Sequence, residues 1–160
     1  MPYTPDSLIM PILQAVLQCV CDEFTEAGLN DHCECALIPG VGSTPFPPAP
    51  GMGTAWVGVN YIYPTTAIPE QAIGGDCSAN LGANITVGSM RCYKITKETP
   101  SVDDMLLYMD KQMADMAALR RAIMCCDGLK DYEMVVGQYT PIEFTGGMFG
   151  GAWTVDVGLY

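Results

Sequence analysis

The stretch TPSVDDMLLYMDKQMADMAALRRAIMCC, residues 99–126, constrains this chain more than any other, because it reads as one long helix and sets what must be built around it. Ser101 stands where an N-cap is expected. Asp104 three residues later supplies an aspartate variant of the capping box, and the acids of the first turn suit the positive end of the helix dipole. Val102, Met105, Leu106, Met109, Met113, Met116, Ile123 and Cys126 recur at helical spacing. This stripe is expected to pack on a sheet as core; a soft, adaptable methionine surface for a partner is the alternative. Arg120 and Arg121 lie toward the C-terminal end, as the dipole favours, and Gly128 is expected to close the helix.

A second helix is expected between Ser7 and Glu26, where Ile9, Leu13, Val16, Leu17, Val20 and Phe24 share a face and Gly28 offers a C-terminal cap. Pro11 conflicts with a helix interior, so regular helix is expected to begin near Met10 or to bend there. CECALI, AWVGVNYIYPT, ANITVGSMRCYKIT, EMVVGQYTPIEF and AWTVDVGLY read as strands. In the third of these, Ile85, Val87, Ser89, Arg91 and Tyr93 fall on one face. The segment 39–53 is too rich in proline and glycine for regular structure. Strands joined by loops with only two helices predict a single α+β domain over residues 1–160: an antiparallel or mixed sheet packed against two helices, with a long Pro/Gly-rich loop at 39–53 and a C-terminal β-hairpin at 134–158.

Composition narrows the function classes. With 18 acids against 7 bases and a net charge of −11, the chain is unsuited to gripping nucleic acid through phosphate neutralisation. It suits a surface past which DNA slides without sticking. Apolar residues reach 49% and charged ones only 16%, an apolar balance that neighbouring subunits would relieve. No run is long and apolar enough for a membrane span, and the N-terminus lacks a basic leader, so a cytoplasmic chain is expected. The eight cysteines are accordingly read as reduced, often buried small hydrophobes.

Catalytic and metal chemistry find little support. CVC and HCEC carry zinc-preferred ligands, but with one residue inside each pair, and Cys19 and Cys21 diverge by about 200° on a helix. A small zinc domain using Cys33, Cys35 and another cysteine pair is kept as the lesser alternative. His32, the single histidine, reads as a solvated turn residue. No nucleophile elbow, phosphate loop or zinc-protease motif is present, and no catalytic residue, cofactor or metal is expected.

The ending TGGMFGGAWTVDVGLY places two glycine pairs before an alternating run. Gly146 and Gly147 suit a hairpin turn, and Gly150 and Gly151 a bulge or the close approach of another backbone. Trp153, Val155 and Val157 then share one face. Taken in order, the N-terminal helix, the proline-rich loop, AWVGVNYIYP, RCYKI, the helix closing on ALRRAIMCC, and GQYTP, GGMFGG and WTVDVGL resemble the tail terminator, or head-to-tail connector, proteins of long-tailed siphoviruses that infect actinobacteria. The resemblance implies a structural virion protein at the neck, made in the host cytoplasm. It would assemble with itself as a hexameric ring that ends the tail tube, contacting the major tail tube protein below and the head-completion or stopper protein above, while DNA passes without specific binding and no membrane is involved.

On that reading the subunit-interface candidates are Gly146, Gly147, Phe149, Gly150, Gly151 and Trp153 in the hairpin, with completion of the subunit's own sheet as the competing role. Pro45, Phe46, Pro47 and Pro48 are the candidates for a partner-docking loop. Another neck component is the alternative: mostly helical content would favour an adaptor, and a closed β-barrel a stopper.

Overall fold

The computed structural model describes residues 6–29, 32–39, 53–73, 80–93 and 99–160, the side chains of 32–34 and 143–145 excepted. Its elements are α1 (Ile9–Glu26), β1 (His32–Ile38), β2 (Gly53–Ala67), the short β3 (Glu70–Gln71), β4 (Asn80–Cys92), α2 (Val102–Met124), a single 3₁₀ turn at Asp127–Leu129, β5 (Met134–Thr145) and β6 (Met148–Gly158). The six strands form one open, mixed sheet in the order β1-β2-β4-β6-β5, with β3 paired to β2. β1 runs parallel to β2 and the remaining pairs are antiparallel. The expected α+β architecture is therefore the one observed.

Both helices lie on one face of the sheet. Ile12, Val16 and Val20 of α1 and Leu119 and Ile123 of α2 meet Ala55 and Val57 of β2, Ile85 and Val87 of β4 and Val155 and Val157 of β6 in one buried cluster. The opposite face carries a smaller cluster of Ile38, Trp56 and Met90. Beside it runs a polar row in which Asn60 Nδ2 donates to Asn84 Oδ1 (2.6 Å), Asn84 Nδ2 to Asp156 Oδ1 (3.1 Å) and the Tyr63 hydroxyl to the same oxygen (2.9 Å).

α1 begins at Ile9, within one residue of the expected start near Met10. Placed in the first turn, where its missing N–H has no intrahelical acceptor, Pro11 is compatible with regular helix from Ile9. Asp6 caps this end, its Oδ1 accepting from the backbone N–H of Leu8 and Ile9, and these two bonds, Ile9 first, hold its carboxyl below the usual range. At the other end Gly28, at φ 70°, donates to the Thr25 carbonyl while Leu29 donates to Phe24, a Schellman closure.

The capping box of α2 forms as read from the sequence. Ser101 Oγ accepts from the Asp104 N–H at 3.1 Å, and the Asp104 carboxylate accepts from the Ser101 N–H at 3.0 Å. Replacing Ser101 with alanine is expected to cost about 1 kcal/mol in urea unfolding; no measurable loss would show that tertiary contacts alone fix this end. The helix stops at Met124, short of Gly128, because Cys126 turns into extended backbone and buries its side chain against α1.

Candidate functional site

The glycine-rich hairpin serves the chain's own sheet. Gly146 and Gly147 form the two-residue turn between β5 and β6 with φ of 62° and 79°, the left-handed pair that matches strand twist in a tight hairpin. β6 lies between β4 and β5, so the residues after the turn are interior. Phe149 is buried, its ring 5.2 Å from that of Tyr108 on α2 and 6.4 Å from that of Tyr93. Trp153 is partly buried and donates its indole N–H to the Met116 carbonyl at 3.1 Å. Of the alternatives for the second glycine pair, close approach is what forms: β6 pairs with β4 without a register shift, and a Cβ added at Gly150 would lie 2.1 Å from the Ser89 carbonyl oxygen. The irregularities fall instead on β5, between Val136 and Tyr139 and between Ile142 and Thr145. Pro45, Phe46, Pro47 and Pro48 lie outside the described residues.

A polar centre that sequence pattern did not isolate joins α2 to this part of the sheet. Asp115 is 1% and Arg91 3% exposed, and their side chains pair in a two-pronged contact, Nε to Oδ2 and Nη2 to Oδ1, each at 2.7 Å. One helical turn earlier Gln112 donates to the Gly150 carbonyl at 2.5 Å. Tyr139 stacks at a tilt on Trp153, ring centres 5.6 Å apart, and burial pushes its phenol up to about 12. Ser89 and Arg91 share the face of Ile85 and Val87, as the strand pattern predicted, and the structure turns that face to the helices.

These contacts decide which way α2 faces, and they overturn the core assignment of its apolar stripe. In the N-terminal half, Tyr108, Gln112 and Asp115 face the sheet. Val102, Leu106, Met109, Met105 and Met113 are 78%, 59%, 53%, 43% and 37% exposed, while Ile123 and Cys126 are buried as expected. Hydrophobic spacing misassigned the stripe because the inward residues of this half are polar and find partners across the interface.

The cysteines also differ from expectation. Cys19 is disulfide-bonded to Cys126 and Cys21 to Cys35, across Cα separations of 5.7 and 6.2 Å. The divergence of Cys19 and Cys21 around α1 sends one toward the end of α2 and the other toward β1. Cys35, which the zinc alternative requires as a thiolate, is thereby committed to sulfur. Intact mass without reductant is expected to be lower than the reduced mass by the four hydrogens of two disulfides, and the thermal midpoint to fall on reduction; equal masses would restore the reduced reading.

A cleft of about 300 Å³ between the helices is lined by Asp22, Glu23, Glu26, Arg121 and Cys125 among others, with Arg121 already engaged by Glu23 at 2.5 Å. Among the described residues no helix is long and apolar enough to cross a membrane.

Among the described residues the sheet has two unlike outer edges. β5 is the outer strand on one side, and its residues from Met134 to Ile142 carry no charge; β1 is the outer strand on the other. Following the pairings across the sheet, β5 runs antiparallel to β1. Compared with known proteins, the chain matches no family model and no curated sequence.

Proposed function

We propose that this chain is a ring-forming structural subunit of the tail-terminator kind, which caps a phage tail tube, joins it to the neck and lets DNA pass, and that it acts by packing, without catalysis or cofactor. The observation that carries this reading is the β5 edge: a twelve-residue outer strand with no charged residue from Met134 to Ile142. Monomeric proteins usually protect such an edge with charges or a covering element, because its free N–H and C=O groups recruit another strand. Pro141 and the two irregularities interrupt this edge without shielding its length.

The edges being different, β5 of one copy meets β1 of the next head to tail, and their opposed directions make the junction antiparallel. A head-to-tail contact closes into a ring when its rotation divides a full turn evenly and there is no rise along the axis. Two further features support the same reading. An open α+β sheet fits neither the mostly helical content expected of an adaptor nor the closed barrel expected of a stopper. A net charge of −11 suits a channel wall that must not retain DNA. The location in the virion neck, the hexameric count and the tube and stopper contacts belong to the proposal and rest on the sequence resemblance.

Paired substitution of Val135 and Thr140 by lysine tests the edge. Both side chains are exposed, so the fold is expected to survive by circular dichroism while ring assembly is lost. Rings that persist in the folded double variant would remove β5 from the contact.

A further inference from the structure

The exposed apolar face of α2 is left uncovered by the described residues and is not needed for an edge-to-edge ring. Val102, Leu106, Met109, Met113 and Met116 follow one another at intervals of four, three, four and three residues. At about 100° per residue they fall within an arc of roughly 80°. That alternation is the seam of a helix–helix contact, in which each side chain enters a hole between residues of a facing helix; a strand would ask for a period of two. The first four members are at least 37% exposed, and Arg120 ends the apolar run.

The flanks of the seam identify the partner's charge. Asp103 and Asp110, both exposed and one heptad apart, line one side of it, roughly 90° from its centre; Ala114 and Ala117 continue that side without charge as far as Arg121, whose guanidinium is held by Glu23 of its own chain. The neutral Met105 lines the other, beside Gln112, whose amide is turned to the Gly150 carbonyl. Neither helix of a second copy complements this arrangement. The outward face of α1 presents Gln14, Gln18 and Asp22, with neither a base nor an apolar seam. Two α2 helices packed antiparallel about the middle of the seam bring Asp110 of one against Asp110 of the other, a like-charge contact. Packed parallel, they set the acidic flank beside Met105 and Gln112. We infer that the seam docks an amphipathic helix of a different protein, with apolar residues at three-four spacing and lysine or arginine, seven residues apart, along the flank that meets Asp103 and Asp110. The inference is independent of the ring reading, since the seam and the β5 edge are separate surfaces.

The probe is a three-heptad synthetic peptide with leucine along its seam and lysine on its flanks, compared with the same peptide carrying glutamate on its flanks. Binding to the full chain is followed by fluorescence anisotropy and peptide helicity. The lysine peptide is expected to bind about tenfold more tightly, to gain helix on binding and to weaken as salt is raised. Met109→Glu, at an exposed position that leaves the fold intact by circular dichroism, is expected to abolish binding, and Asp103→Lys with Asp110→Lys to reverse the preference. Failure of the lysine peptide to bind, equal binding of the two peptides, or self-association of the chain that Met109→Glu abolishes would each overturn the inference. Rings without peptide binding would contradict this inference alone; peptide binding by a chain that never forms rings would contradict the ring reading alone.

Discussion

Replacing Asp115 with alanine is expected to destabilise the protein by about 3–5 kcal/mol, because it removes the carboxylate that holds the buried Arg91 guanidinium in a two-pronged contact. The cost is largely the desolvation of the charge left behind, so the companion experiment matters as much as the first. Arg91→Met combined with Asp115→Leu removes both charges and is expected to recover most of the loss. Urea unfolding of the two variants separates these terms. A loss below about 1 kcal/mol for the single alanine variant would mean that water reaches Arg91 and that the pair does not anchor α2.

Gly150→Ala is expected to cost about 3 kcal/mol or more, since the added methyl carbon meets backbone on the neighbouring strand: 2.1 Å to the Ser89 carbonyl oxygen and 2.9 Å to the Met90 Cα. Neither atom can move without parting β4 from β6 in the middle of the sheet. The same change at Gly151 meets the hydroxyl end of Tyr139 at 2.2 Å, a side chain that rotation can clear, and is expected to cost less. Thermal unfolding of the two variants checks the order. Equal and small shifts would show that the strands are not pressed together at Gly150.

The reach of the sequence is clear from particular residues. Local chemistry was legible: Ser101 and Asp104 capped α2 as their spacing required, Gly28 closed α1, and Gly146 with Gly147 made the hairpin turn. The strand period placed Arg91 on one face of β4 with Ile85 and Val87 but did not reveal that this face meets α2 or that Asp115 would pair with it there. Hydrophobicity was a poor guide to α2 because two arcs compete on that helix. The arc that won in its first half owes its position to hydrogen bonds and an ion pair, which apolar periodicity does not register. The disulfides were missed because cysteine pairing depends on which elements become neighbours, and α1 meets the end of α2 across 107 residues of sequence. The hairpin glycines were read as subunit-interface candidates, with completion of the subunit's own sheet as the competing role. Their packing against β4 shows the sheet-completing role, while the sheet edge proposed for contact is the other strand of the same hairpin, β5.

That proposed edge makes assembly the central claim. The most direct test is native mass with negative-stain imaging of the purified chain over a concentration series, alone and with tail tube protein added. The account predicts closed rings of about six subunits, formed by the chain alone or templated on the tube ends. A strict monomer under both conditions would contradict it.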